Sequence, residues 1–192
     1  MNTVADNTTR FPDTLDAVQY QGIVESMPPP WHVFTDFLVI SGARLGEAAA
    51  LTDTDLDPDG GACRIHRIWR SGPGGWVLAD AQCPRTIAVP QNLFGRLSIH
   101  GSGEELFRID GACGPELITL FVGRVWRPAV DTVADDRLGG RRPAVAALRT
   151  TCALWLTDTG ASWPVIATHL GYRDNRSTLA QHAHITPERD RA

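Results

Sequence analysis

The sequence predicts an α+β chain, mainly helical, with one small antiparallel β-sheet. Three observations carry that prediction. Apolar residues recur at a helical period towards both ends, most clearly at Val145, Leu148, Cys152, Leu154 and Trp155. Residues 62–70, ACRIHRIWR, alternate apolar and polar as a half-buried strand does, and Ser71-Gly72-Pro73-Gly74-Gly75 then turns the chain back. With 43% hydrophobic residues among 192, the chain can bury the core of one ordinary domain.

Taken in order, residues 1–10 read as a frayed polar terminus, 11–187 as one domain and 188–192 as a short tail. Asp13 or Thr14 caps a helix from about Leu15 to Met27, with Leu15, Val18, Ile23 and Val24 apolar. Pro28-Pro29-Pro30 breaks it. A second helix runs from Trp31 to Ile40, and Ser41-Gly42-Ala43-Arg44-Leu45-Gly46-Glu47 opens a short one through Ala50. Asp55 to Asp59 is a loop leading into the sheet. After the first long strand and its turn, Trp76-Val77-Leu78 returns, Ala79 to Pro84 forms a loop, and Arg85 to Pro90 is a third strand.

Beyond the sheet, Gln91 to Ser98 is a short helix and His100 to Glu105 a loop, with Leu106-Phe107 at an edge. Pro115 begins a helix through Val130, and Asp131 to Arg142 is a charged, Gly-rich connector. The last third holds three helical segments. Asp158-Thr159-Gly160 ends the first, with Gly160 just past its C-terminus. Ser162 caps the second, which stops at Leu170-Gly171, and Asn175 or Ser177 caps the third. Arg149 lies beside the apolar face of the first of these helices. A half-buried arginine there needs an anion, either a carboxylate or a phosphate.

Composition narrows the function classes. No apolar run is long enough to span a bilayer, and the polar start MNTVADNTTRFPDT is no signal peptide, so a cytosolic location is expected. Cys63, Cys83, Cys113 and Cys152 lack metal-site spacing and read as reduced structural thiols. His182 and His184 sit two apart and do not share a helix face. Neither a metal nor another cofactor is implied. The formal net charge is −4, and all 18 basic residues are arginine. Any nucleic-acid contact must then come from a local arginine face against an acidic background.

Several stretches carry a family resemblance. Ser41-Gly42-x-Arg44-x-Gly46-Glu47, followed by an Ala/Leu run, resembles the first arginine box of the tyrosine recombinases, the phage-integrase family. Leu148-Arg149-Thr150-Thr151 resembles their second arginine box, normally His-x-x-Arg, and Leu170-Gly171-Tyr172 stands where they have Leu-Gly-His. Val125-Trp126-Arg127-Pro128-Ala129-Val130 is similar to a run common in integrases. Arg44 by itself has a simpler reading, a pair with Glu47 at helical spacing. The ordered match of both boxes favours the family. The resemblance spans about Phe11 to Pro187 and covers only the family's catalytic domain, without the N-terminal core-binding domain that closes a clamp on DNA. It implies the catalytic-domain fold of that family.

The resemblance also implies a chemistry. In the family a Tyr hydroxyl attacks a DNA phosphate, two arginines clamp the non-bridging oxygens, a Lys protonates the leaving 5′ oxygen, and histidines assist. By position the two clamps are Arg44 and Arg149, both kept. The Lys maps near Ala79 and is lost; no lysine stands anywhere in the chain. The His of the second box is Ala146. Tyr172 replaces the later His, and His182 stands at the nucleophile position. Arg44, Arg149, Tyr172 and His182 are thus vestigial catalytic positions, and Arg44 and Arg149 the DNA-phosphate ligands. Losing a general acid costs about 10²–10⁴ in rate, and losing the nucleophile costs more. The expectation is a degenerate integrase-like domain associated with DNA recombination and integration. Its partners are DNA, held weakly through arginines, and another recombinase subunit. The alternatives are a non-catalytic module that docks on an active recombinase or a DNA complex, and a decaying gene fragment.

Overall fold

The computed structural model describes residues 14–97 and 99–173. The anticipated third helix of the last third, with its caps Asn175 and Ser177, and also His182, lie outside them. So do Asp13 and the first ten residues.

Helix α1 spans Ala17–Glu25 and is capped by neither residue that the sequence offered. Asp16 caps it instead, accepting from the Gln19 backbone N–H at 2.8 Å while the Gln19 side chain accepts from the Asp16 N–H. That reciprocal box satisfies two otherwise orphaned donors. Thr14 is buried, and the Leu15 N–H donates to Thr151 Oγ1, so the segment before α1 is held by the far end of the chain. A 3₁₀ turn over Pro29–Trp31 absorbs the proline run. Helix α2 follows over His32–Ser41, and the short α3 spans Leu45–Ala48.

The sheet has three antiparallel strands in the order β1-β2-β3, but not the three the sequence suggested. β1 is Leu56–Asp57, inside the stretch expected to be a loop. β2 is Ala62–Gly72, and β3 runs unbroken over Gly75–Ala88. The expected loop at 79–84 is strand. Ala79 pairs with Ile68 and Asp80 with Arg67, and the next paired residue of β3 is Arg85, opposite Ile65. Ala81 to Pro84 therefore bulge opposite His66. Pro84 has no N–H to offer a ladder, and a bulge is where such a residue fits. Cross-strand pairing on both sides restores the register, which proline and polar residues hid from the sequence reading.

After β3 come α4 (Gln91–Phe94), shorter than expected, and a loop whose turn is pinned by Asp53. The buried Asp53 carboxylate accepts from the backbone N–H groups of His100, Ser102 and Gly103. One helical path then runs from Gly114 to Arg137 as α5 (Gly114–Leu120), a π-helical stretch (Phe121–Trp126) and α6 (Arg127–Arg137). It reaches well into the supposed connector. Pro128 falls where the π-helical stretch gives way to α6, and having no N–H it donates no bond back to that stretch. Helices α7 (Ala147–Asp158) and α8 (Trp163–Leu170) are the last among the described residues, with Gly160 and Gly171 where expected.

The main core joins α1, α2, the α5–α6 rod and the inner face of the sheet. Its centre is aromatic: Phe34 meets Phe107 and Phe121 edge-on at 4.9 and 5.0 Å, and Trp31 stacks on Phe121. Each such buried side chain contributes roughly 1.5–3 kcal/mol of transfer free energy. A smaller core of Cys152, Leu154, Trp163, Ile166 and Leu170 joins α7 to α8. Trp126 Nε1 donates to the Pro143 carbonyl at 2.9 Å and so fixes where the chain enters α7. α7 packs on α2, α8 on α7 and β3, and α3 on β2. These packings bring the ends of α2, α3, α7 and α8 to one place.

Candidate functional site

That place is built around two helix C-termini, those of α2 and α8. The last carbonyls of a helix have no partner of their own and carry the negative end of its dipole. Gly42, with φ 57°, turns the chain out of α2, and Gly171, with φ 69°, does the same for α8. At α8 the Gly171 N–H reaches the Thr168 carbonyl at 3.0 Å and the Tyr172 N–H reaches Ala167 at 3.0 Å, the paired bonds of a Schellman cap. The carbonyls of His169 and Leu170 are left over, as are those of Ile40 and Gly42 near the end of α2.

Side-chain N–H donors fill these positions. Arg149, from α7, donates through Nη1 to the Gly42 carbonyl and through Nη2 to Leu170 at 2.6 Å. The Tyr172 ring lies over its guanidinium, 4.6 Å from centroid to Cζ. Burial pulls the pKa of Arg149 below its ordinary value, and Tyr172 partly offsets this; the group stays a cation at neutral pH. The expected anion is thus replaced, within the described chain, by two carbonyls and an aromatic face. His169 Nε2 meets the Ile40 carbonyl at 3.2 Å. Burial, with Arg85 and Arg149 nearby, holds His169 below its usual pKa despite that bond. Since a carbonyl oxygen only accepts, Nε2 is the nitrogen that donates to Ile40.

A buried carboxylate organises the other side. Glu47, 1% exposed, accepts from the Arg44 backbone N–H at 2.8 Å and from Arg44 Nη1 at 3.1 Å. It also meets Arg85, itself 4% exposed, in a two-pronged pair at 3.2 and 3.0 Å. Burial by itself would raise the pKa of Glu47. The Arg85 hydrogen bonds and charge, then Arg44, outweigh it and hold the carboxyl below its ordinary value. Arg85 Nε reaches further, to the His169 carbonyl at 2.8 Å.

Arg44 and Arg149, 105 positions apart in sequence, line one open cleft of about 370 Å³. Leu38, Leu45, Val122, Val145 and Leu148 supply its apolar wall, and Ala146 leaves one side bare. Arg44 remains 40% exposed although it is paired with Glu47. The simple i,i+3 pairing and the convergence of the two arginines are therefore both present. Tyr172 joins the group through Arg149. Ala79, where the lysine position was placed, sits in strand β3 rather than in a loop. The glycines of the first box serve packing within the chain: a Cβ on Gly46 would collide with the Trp69 carbonyl of β2.

Sequence reasoning missed Arg85 and His169. A signal for Arg85 was present. Arg85, Ile87 and Val89 alternate inward with exposed Thr86 and Ala88, so an arginine occupied a core-facing strand position. No comparable pattern marks His169. Among the described residues no group of three or more His, Cys, Asp and Glu side chains is placed to hold a metal ion, and no helix is long and apolar enough to cross a membrane.

No family model matches the sequence, and no curated protein matches it. Solved structures do match. The integrase of transposon Tn1549, bound to transposon right-end DNA, superposes with a TM-score of 0.69 at 19% identity, over 90% of this chain and 62% of that one. XerA recombinase gives 0.64 at 15% identity, over 91% and 60%. The catalytic domain of the bacteriophage HP1 integrase gives 0.58 at 20% identity, over 91% and 88%. The chain thus spans about three-fifths of the transposon integrase and XerA chains and most of the isolated HP1 domain. A mainly helical body with one small antiparallel sheet, shared with these proteins at this extent, gives the chain the fold of a tyrosine-recombinase catalytic domain.

Proposed function

We propose that this chain is a degenerate recombinase catalytic domain that grips duplex DNA by its phosphates through Arg44 and Arg149 and does not cut it. The observation that carries this reading is the convergence of the two arginines on one cleft in a fold shared with DNA-bound recombinases. Two guanidinium groups suit a phosphodiester, because each presents planar donors to non-bridging oxygens and neither loses its charge. Arg149 spends two N–H groups on carbonyls and also bonds Tyr172, so a phosphate would share its guanidinium with those partners. Cleavage needs more: a nucleophile in line with phosphorus and an acid for the leaving oxygen. The chain has no lysine, Ala146 carries no imidazole, and the nucleophile position is His182. Tyr172 stands ten residues before it and packs on Arg149.

The net charge of −4 makes such binding weak and salt-dependent. Fluorescence anisotropy with a labelled duplex at two salt concentrations tests it. Arg44→Ala and Arg149→Ala should each weaken binding alike for different sequences, since phosphate contacts carry no base information. Tight, salt-insensitive binding contradicts the proposal. A nicked suicide substrate tests the negative half: a protein–DNA band that survives denaturation and vanishes with His182→Ala would make the chain an active recombinase.

A second reading, a module that docks on an active recombinase, draws on the acidic balance and on the apolar wall of the cleft. Co-elution with an integrase-type recombinase in the absence of DNA, lost on Leu45→Glu, separates it from the first.

A further inference from the structure

We infer that Arg85 is the positioning residue of this site: from a buried place on β3 it sets Arg44 through Glu47 and the α8 terminus, which anchors Arg149, through the His169 carbonyl. The inference rests on the phosphate-clamp reading of Arg44 and Arg149 and adds a third, buried arginine to it.

The bonds form one relay. Arg85 grips both oxygens of Glu47, and the same two oxygens hold the Arg44 backbone N–H and Nη1. Arg85 Nε takes the His169 carbonyl, and the next carbonyl along, Leu170, takes Arg149 Nη2. Gly171 closes the packing: a Cβ there would lie 2.6 Å from Arg85 Nη1. Helix α3 is only four residues long and cannot orient Arg44 by its own stability. The orientation must come from what holds Glu47, and Arg85 holds both its oxygens from outside α3 and its cap. A lysine in place of Arg85 would keep the charge but not the planar fork that spans a carboxylate and a carbonyl at once. Arg85, 4% exposed, is out of reach of a ligand, so its effect on binding can only pass through the others.

The experiment uses the full chain and two readouts. The first needs no DNA. In ¹H–¹⁵N spectra the Arg44 amide reports its bond to Glu47. Arg85→Met should shift it and speed its hydrogen exchange, and Arg85→Lys should do so to a smaller degree, while the amides of α1 stay in place. An unmoved Arg44 amide in folded Arg85→Met overturns the inference. If Arg85→Met does not fold, Arg85→Lys decides by the same criterion. The second readout is duplex affinity at low salt. Arg44→Ala should cost about tenfold in the wild-type background and under twofold in the Arg85 variant, because Arg44 is already misplaced there. An equal cost in both backgrounds also overturns the inference. If neither Arg44→Ala nor Arg149→Ala changes wild-type binding, the phosphate-clamp reading has failed, and the amide result alone decides what Arg85 positions.

Discussion

The arginine cleft and the far end of the β2–β3 hairpin obey opposite rules. In the cleft, charged groups are buried and bonded to one another: Glu47 takes four contacts, and Arg85 and Arg149 bridge separate elements. At the hairpin end, large apolar side chains face water. Trp76, Val77 and Leu78 are 40%, 57% and 42% exposed, opposite Ser71, Arg70 and Trp69. The first region could not exist without long-range packing, because an unpaired buried charge is too costly. The second needs only a turn and local cross-strand pairs. Substitutions should therefore be felt strongly in the cleft and hardly at all at the tip.

The largest effect is expected at Arg85. Arg85→Met strands a buried carboxylate and should cost about 3–5 kcal/mol in denaturant unfolding. The double variant Glu47→Met/Arg85→Met removes both charges and should recover most of that loss. If it does not, the pair does more than neutralise itself. Arg149→Ala comes next. It leaves the Gly42 and Leu170 carbonyls without their donor and should cost about 2–3 kcal/mol.

Acid should dismantle the cleft in two stages. His169 has its pKa lowered by folding, so below about pH 6.5 the unfolded chain takes up a proton that the folded one refuses, and stability falls with pH. The Glu47 contribution is fully present above its ordinary pKa of 4.5 and is lost as pH falls through its lower folded value. His169→Gln should flatten the first stage only, read from urea midpoints between pH 5 and 7. Asp16→Ala, at the α1 cap, is an intermediate case and should cost about 1 kcal/mol. At the hairpin tip, Trp76→Ser and Leu78→Thr should each change stability by about 0.5 kcal/mol or less. A larger loss at the tip would erase the contrast between the regions.

Local chemistry determined much of this protein. Periodicity gave α2, α7 and α8, and the glycines at 42, 160 and 171 marked where helices end, because φ values of 57–82° suit a residue without a Cβ. Alternation gave β2, whereas Arg44 and Arg149 were paired by the family resemblance of their boxes and by no local rule. Other features followed no local rule. Thr14 offered as good a cap as Asp16, but its segment was claimed by the bond from Leu15 to Thr151. Residues 79–84 read as a loop, and pairing with β2 made them strand with a bulge. The start of the connector read as irregular until packing of Val130, Val133 and Ala134 on the core made it helix. Above all, the sequence named two arginines that could meet an anion, and tertiary structure decided what they meet first. The carbonyls at the ends of α2 and α8 and a carboxylate shared with Arg85 become partners only when elements 21 to 107 residues apart converge. A charge leaving water must find its counterpart wherever the fold brings one.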